Sequence, residues 1–309
     1  MPSRREFLKV AGMAPTVLLA ADLTREASAA PANFTLPQIT FGKHRLSRLI
    51  CGSNCFHAGS HLSDFVNREM RSYYTPEQVL KTLIRCCEVG INTWQSGVGQ
   101  LDLYRRLVEK GWEMHFLALE SDPGTLPRLV QGGCIGVAHH GEVTDNLFKH
   151  NRGQFDKIAD FLKRAHDAGL MAGVSTHMPA VVDTIESKGW ELDYYMTCVY
   201  ERHRSQAELE KLLGQAPIPV GEVYLPQDPP RMFKAVRQSK RPCLAFKILA
   251  AGRLSERKEW VEQAFRQTFQ SIKPNDAVIV GIYDRYQDQP AEDAAFTRRF
   301  AASQLHEPA

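Results

Sequence analysis

CIGVAHHG, residues 134–141, is a short apolar run that ends in two histidines and a glycine. Such a run is typical of a buried parallel strand, and its polar groups then lie at the carboxyl end of that strand. The same pattern recurs in His115–Glu120, which ends in a carboxylate, and in Met171–His177, which ends in an imidazole. Polar groups at the ends of successive strands are how a barrel enzyme builds its active site. The stretch therefore favours a barrel of alternating strands and helices.

Strand and helix patterns alternate eight times after residue 47. The predicted strands are Arg48–Gly52, Ile91–Gln95, His115–Glu120, Cys134–His139, Met171–Thr176, Tyr194–Tyr200, Cys243–Ile248 and Ala277–Ile282. Helical periodicity lies between them, as in the helix that begins at Thr75-Pro76 and ends at Gly90. A hairpin that turns at Gly42-Lys43 precedes the first strand. Eight such units over roughly 250 residues predict an α/β fold, a (β/α)8 TIM barrel with an N-terminal β-hairpin. A doubly wound open sheet is the alternative, but it requires a glycine-rich phosphate-binding turn, and the sequence has no GxGxxG motif.

The composition is that of an ordinary globular protein. Of the 309 residues, 43% are hydrophobic and 24% are charged, and the net charge is only +3. No basic run stands out, so we do not expect nucleic acid as a partner. No segment after the N-terminus approaches eighteen apolar residues, so we expect no stable membrane insertion. Seven cysteines without a CxxC pair do not indicate a disulfide framework, and we expect them to be core residues.

The first thirty residues resemble a twin-arginine export signal. The motif is Ser3–Lys9, which contains Arg4-Arg5; a moderately apolar segment follows, and Ala27-Ser28-Ala29 has the small residues of a cleavage site. The resemblance implies recognition by the twin-arginine translocation machinery, cleavage near Ala29 and a periplasmic or secreted location. The alternative is an amphipathic N-terminal helix of the mature fold. We predict a signal peptide at 1–29, a linker at 30–37 and a single barrel domain at 38–309.

Several motifs resemble the aldo/keto reductase family. They are the hairpin with Leu46–Gly52 after it, Gly90–Gly97, Leu249–Leu254, and Gly281 with Gln289 and Glu292 beyond it. Their order and spacing agree with the family over most of the chain. The resemblance implies a (β/α)8 barrel. It also implies that Gly281, Arg285 and Gln289 bind NADP at its adenosine phosphate.

The catalytic group of that family is largely missing. The family uses an aspartate, a tyrosine, a lysine and a histidine around a nicotinamide. Its aspartate position falls on Gln95, its tyrosine position near Gln100 with Tyr104 a turn further on, and its lysine position on Glu120. The histidine is retained, with His140 as the better match. A carboxylate in place of the lysine would raise the pKa of a nearby tyrosine instead of lowering it. The resemblance thus implies that the barrel is kept while standard carbonyl reduction is lost.

Glu120, His140 and His177 end three successive predicted strands, and neighbouring strands lie roughly 5 Å apart. Two imidazoles and a carboxylate are a common ligand set for zinc, iron or manganese. A metal held there could polarise a carbonyl group or a sugar hydroxyl. Because side chains alternate along a strand, we expect His140 to face the site and His139 to face the helices. The alternative is a hydrogen-bonded polar cluster at the barrel mouth, with or without other catalysis.

Three more residues are candidates for catalysis beside His140. Lys247 ends a buried apolar strand, where an amine without a partner is costly. It could be an acid/base group, a contact to an anionic substrate or a Schiff-base nucleophile, or it could pair with Glu120 or Glu201. Tyr200 could stack on a sugar ring at the barrel mouth. Glu201 belongs to a charged loop of the kind that more often forms a solvated rim.

Three functions are compatible with these features. The first is an exported, aldo/keto reductase-like barrel enzyme that acts on a small carbonyl or sugar-type substrate through a metal or an acid/base cluster, by elimination, isomerisation or hydrolysis. The second is an NADP-dependent oxidoreductase with a rearranged site. The third is a binding protein of barrel fold without turnover.

Overall fold

The computed structural model of the protein describes residues 35–218 and 222–302. Its eight parallel strands close into a barrel surrounded by helices, which confirms the predicted fold. The predicted signal peptide, residues 1–29, and residues 30–34 of the predicted linker lie outside the described residues. Within the described ranges, no helix has both the length and the apolar character needed to cross a membrane.

The elements follow the predicted order. The strands are β1 (Gln38–Phe41), β2 (His44–Ser47), β3 (Leu49–Gly52), β4 (Thr93–Ser96), β5 (His115–Glu120), β6 (Gly136–His139), β7 (Met171–Thr176), β8 (Tyr194–Cys198), β9 (Cys243–Phe246) and β10 (Ala277–Gly281). The helices are α1 (Asp64–Tyr73), α2 (Pro76–Glu88), α3 (Leu101–Glu109), α4 (Leu126–Gln131), α5 (Gly141–His150), α6 (Lys157–Asp167), α7 (Pro179–Lys188), α8 (Gln206–Leu213), α9 (Asp228–Gln238), α10 (Lys258–Ser271) and α11 (Gln289–Ala301). Strands β3 to β10 pair in sequence order, and β10 closes the barrel against β3.

The predicted hairpin covers the amino-terminal end of the barrel. β1 and β2 pair antiparallel, with the turn at Gly42-Lys43. Phe41 is fully buried, and its ring packs edge-on against Tyr194 inside the barrel, with 4.8 Å between the ring centroids. The hairpin therefore closes this end with apolar side chains, and polar chemistry is left to the opposite, carboxyl end.

Local sequence signals place the helices as predicted. Thr75 caps α2 by accepting a hydrogen bond from the Gln78 amide, and Pro76 occupies the first helical position. The apolar face of the helix, which includes Val79, Leu80 and Leu83, is buried against the outer side of the barrel. The layer between helices and strands is the larger of two apolar cores, and the smaller one fills the barrel interior.

Candidate functional site

A cavity of about 580 Å³ opens at the carboxyl ends of the barrel strands. Among its lining residues are Asn54 after β3, His140 after β6, His177 after β7 and Lys247 after β9. This is the face on which barrel enzymes carry their active sites. The volume is within the range of pockets that hold small molecules.

Asp145 and His177 form a buried pair at the wall of this cavity. Asp145 lies on α5, is fully buried, and accepts a 2.8 Å hydrogen bond from Nδ1 of His177. The backbone amide of His177 and the hydroxyl of Thr176 also donate to this carboxylate. Burial alone would raise the pKa of Asp145, but the hydrogen bonds from His177 and Thr176, together with the nearby His203 ring, outweigh it and lower that pKa to about 2. The carboxylate is therefore ionised and holds the imidazole in one orientation.

The second ring nitrogen of His177 meets a cation. A guanidinium nitrogen of Arg202 lies 3.2 Å from Nε2, and because arginine can only donate, Nε2 accepts this hydrogen bond. The proton of the neutral ring is then on Nδ1, facing Asp145. Burial, and then the charges of Lys247 and Arg202, lower the pKa of His177 to about 4, although Asp145 acts in the opposite sense. His177 thus presents a neutral ring with its basic nitrogen on the Arg202 side.

His203 completes a group that could hold a metal. Its Nε2 lies 3.4 Å from Oδ2 of Asp145, and its ring packs edge-on against that of His177, with 5.1 Å between centroids. Ligand atoms of Asp145, His177 and His203 all lie within 4.8 Å of one another, and this is the only such group in residues 35–218 and 222–302. Of the three ligands predicted from the sequence, it contains His177 alone.

Glu120 and His140 lie outside this group. The Glu120 carboxylate accepts a 2.6 Å hydrogen bond from the Val98 amide, and Glu120 is not among the cavity-lining residues. His140 does line the cavity, and its buried Nδ1 has no hydrogen-bond partner in the described part of the chain. The ligand role of these two residues stays a prediction. His139 faces the helices, as the alternation requires, with Nδ1 2.8 Å from the Thr144 hydroxyl.

Lys247 follows β9 and lines the same cavity. Its backbone φ is +60°, a left-handed conformation that is strained for a residue with a side chain. Burial, together with the charges of Arg202 and Arg253, lowers its pKa to about 8, while Cys198 and Glu222 act in the opposite sense.

The alternative role of Lys247, an ion pair with Glu120 or Glu201, is not found among the described residues, where the amine makes no hydrogen bond and no ion pair. The Glu201 carboxylate instead accepts hydrogen bonds from Arg204 and Arg231. Glu201 is paired with these two arginines and is not among the residues that line the cavity.

The Tyr200 side chain does not point into the barrel mouth, the position expected from the sequence. It is buried in the outer core, where its ring packs against Tyr224 with 5.1 Å between centroids. β8 ends at Cys198, so the alternation that aimed Tyr200 into the barrel mouth stops two residues earlier. Tyr283, after β10, lines the cavity, and its buried hydroxyl has no partner among the described residues.

Two of the three residues implied to bind NADP line the cavity near α11, and the third does not. Gly281 and Gln289 line it, but the Arg285 guanidinium is held by the Glu69 carboxylate at 3.0 Å and stacks between aromatic rings outside the cavity. Glu256, Glu292 and Asp293 also line this end, and Lys258 lies 3.4 Å from the Glu292 carboxylate. Burial raises the pKa of Asp293 to about 8, so this carboxyl is largely neutral near pH 7. NADP binding at this end stays a prediction. The phenol of Tyr104 donates to the Met114 carbonyl in the outer core, so the reductase tyrosine is also missing from the cavity.

No family model matches the chain, and no curated protein matches its sequence. Solved structures match it in fold. The glycerol dehydrogenase AKR11B4 from Gluconobacter oxydans is 13% identical with a TM-score of 0.51, and the match covers 88% of this chain and 97% of that one. Cgl0159 from Corynebacterium glutamicum is 9% identical with a TM-score of 0.52, over 82% and 85% of the two chains. A Yersinia pestis dihydropteroate synthase is 10% identical with a TM-score of 0.50, over 87% and 100%. At these identities the likeness shows the barrel fold alone, which this chain shares with an aldo/keto reductase and with enzymes of other classes.

Proposed function

We propose that the protein is a barrel enzyme that moves a proton at the carbon next to the carbonyl group of a small, sugar-type substrate. The main support is the Asp145–His177 pair, whose 2.8 Å hydrogen bond orients an imidazole at the wall of a 580 Å³ cavity. A carboxylate behind a histidine fixes its tautomer and stabilises the imidazolium that forms when it accepts a proton. Such a pair at a strand end is suited to general base catalysis.

Each cavity residue then has a role in the proposal. The substrate C–H loses its proton to Nε2 of His177, and the electron pair of that bond moves toward the carbonyl oxygen. Arg202 donates a 3.2 Å hydrogen bond to Nε2, which the substrate replaces. The guanidinium released from Nε2 and the Lys247 ammonium, which both line the cavity, then stabilise the oxyanion.

Solvent exchange tests this proposal before the net reaction is known. The protein is incubated in deuterated water with glyceraldehyde, dihydroxyacetone, glucose or pyruvate, and proton NMR follows loss of the signal next to the carbonyl. Replacing His177 by Gln should slow exchange about 100-fold or more, since a positioned base contributes about 10²–10⁴. His166→Gln is the matched control, because it also removes a histidine–aspartate hydrogen bond, to Asp193 at 2.8 Å, but outside the cavity. Equal exchange by wild type and His177→Gln would refute the proposal, and turnover of none of the compounds would favour a binding protein.

A metal-assisted version of this chemistry is the second candidate. Asp145, His177 and His203 offer the donor types that zinc, iron and manganese accept, and Nε2 of His203 has no good hydrogen bond in the described residues. The Arg202 guanidinium beside His177 is unfavourable for a second cation, so we rank this version below the first. Elemental analysis of wild type and His203→Gln separates the two: a stoichiometric metal that the variant loses supports the metal, and no metal in either supports the dyad.

We propose also that the twin-arginine machinery exports the protein. The support is the Arg4-Arg5 motif together with the small residues at 27–29. Replacing both arginines by lysine should leave the uncleaved precursor in the cytoplasm, as measured by fractionation and mass spectrometry. Unchanged cleavage and export of this double variant would contradict the proposal.

A further inference from the structure

We propose that Lys247 forms an imine with the carbonyl carbon of the substrate. This inference rests on the proposed function in one respect: it requires a carbonyl compound in the cavity that His177 also lines. It assigns covalent catalysis to a residue that the proton-transfer proposal uses only as a positive charge. The two ideas can therefore fail independently.

The backbone around Lys247 is held in an unusual conformation. Lys247, Ala250 and Ala251 have φ angles of +60°, +50° and +52°. Each non-glycine residue in this region costs on the order of 1–3 kcal/mol and persists only where its surroundings fix it. Phe246 and Ile248 line the cavity on either side of Lys247. The surroundings therefore hold the strained backbone of Lys247 in the cavity wall, at a strand end and among apolar neighbours.

The acid that would neutralise Lys247 is already engaged. Glu222, which lies near enough to influence the lysine, accepts a 2.8 Å hydrogen bond from His61 and a 3.0 Å hydrogen bond from the Tyr224 hydroxyl. It also accepts from the Arg202 guanidinium. In the described residues, the Lys247 amine makes no hydrogen bond and no ion pair. An amine in the wall of a ligand-sized cavity is thus left available for a ligand.

Burial, and then neighbouring cations, keep a fraction of the Lys247 amine unprotonated near neutral pH. Desolvation and neighbouring cations are the two ways in which enzymes activate a lysine nucleophile, and both act here, the cations being Arg202 and Arg253. With a pKa of about 8, roughly a quarter of the amine is neutral at about pH 7.5, against about 0.1% for an exposed lysine. The free-amine fraction is thus more than 100-fold larger at Lys247.

The chemical step balances without an oxidant or a reductant. The neutral Nζ attacks the carbonyl carbon, a C–N bond forms, and the carbonyl oxygen becomes the hydroxyl of a carbinolamine. This hydroxyl takes up a proton and leaves as water, which produces a protonated imine. The positive nitrogen then draws electrons from the neighbouring carbon and makes its C–H more acidic, which is the bond that His177 is proposed to deprotonate. Addition of water reverses the sequence and frees the lysine.

Reductive trapping tests the inference. The full chain is incubated with glyceraldehyde and sodium cyanoborohydride, which reduces an imine to a stable secondary amine, and the modified lysines are identified by peptide mass spectrometry. We expect Lys247 to be labelled about tenfold faster than Lys258, a second lysine that lines the same cavity but is exposed and paired with Glu292. Lys247→Arg should abolish this fast phase and Lys258→Arg should not. Glycerol, which has no carbonyl group, should produce no labelling.

The labelling experiment and the proton-exchange experiment test the imine and the proposed function separately. Labelling of Lys247 no faster than that of surface lysines would overturn the imine, even if His177→Gln still slows proton exchange and the proposed function stands. Fast labelling of Lys247 in wild type and in His177→Gln supports the imine, even if neither protein exchanges protons and the proposed function fails. Circular dichroism and thermal unfolding of Lys247→Arg establish that it is folded, and a folded variant that keeps the fast phase also overturns the imine.

Discussion

Replacing Lys247 by Met should make the protein more stable and less active. The lysine lies at the end of an apolar strand, in a cavity wall, without a counter-ion in the described residues. Methionine has a similar length, carries no charge and fills irregular apolar space. Functional groups often reduce stability in this way, because their environment is arranged for reactivity.

The size of the effect follows from the pKa of Lys247, which falls from 10.5 to about 8 on folding. A difference of about 2.5 pKa units corresponds to about 3 kcal/mol. Below about pH 8 the lysine is charged in both the folded and the unfolded state, so the folded wild type bears this cost in full. Between about pH 8 and 10.5 the folded state releases its proton while the unfolded state keeps it, so wild-type stability rises with pH in this window. Lys247→Met lacks this rise.

Urea unfolding of both proteins at two pH values measures this effect. We expect the variant to be about 3 kcal/mol more stable at pH 7 and only about 1 kcal/mol more stable at pH 9.5. Other titrating groups are common to both proteins and cancel in the difference. Lys258→Met is the control and should change stability by less than about 0.5 kcal/mol, because Lys258 is exposed. The prediction is wrong if the stability difference between wild type and Lys247→Met is the same at both pH values, or if Lys247→Met is less stable than wild type. Either result would show that the Lys247 amine is paired in the folded protein.

Three other variants or conditions test the site and the fold. Asp145→Asn should lower proton-exchange activity about 10²–10⁴-fold. The Asn amide donates to Nδ1 of His177, which moves the ring proton to Nε2, the atom that should accept the substrate proton. Nitrogen NMR of His177 should show this changed tautomer. The imine inference predicts that activity rises with pH through about 8, because the neutral Lys247 amine is the nucleophile; a pH profile of kcat/KM that falls through about 8 instead supports the ammonium role of the proposed function. Phe41→Ala should lower the free energy of unfolding by about 3–5 kcal/mol, because it empties the closed end of the barrel, and should leave ligand affinity unchanged. Calorimetry measures both quantities, and a large loss of affinity would mean that the two ends of the barrel are coupled.

The fold could be predicted from the sequence because its signals are local and repeated. Several barrel strands, such as β5, β6 and β10, are apolar runs with a turn residue soon after them, and α2 carries its own cap at Thr75 and Pro76. The hairpin turn at Gly42, with φ of +57°, is likewise readable from the residues. Eight repetitions of this pattern predict the barrel, since an error in one element does not change the count of the others.

The site was predictable only where its residues directly follow strands. His177 and Lys247 follow apolar runs, and both line the cavity. Asp145 was missed because it reaches His177 from α5, and a carboxylate on a helix is typical of a solvated face. The available signal was its place on the buried side of α5, beside Thr144. His203 was passed over because the charged loop around it resembles a rim.

The candidate site and the positions that resemble the reductase group lie at different strand ends of one barrel. Gln95, Glu120 and His140, the positions of the resemblance, lie in or after β4, β5 and β6. His177, Arg202 and Lys247 line the cavity after β7, β8 and β9, three strands further around the same barrel. A closed barrel presents every strand end to one central cavity, so chemistry can shift from one set of strands to another without a change of fold. A lysine introduced at position 120 therefore should not confer carbonyl reduction, because Tyr104, the tyrosine it would serve, points into the outer core instead of the cavity.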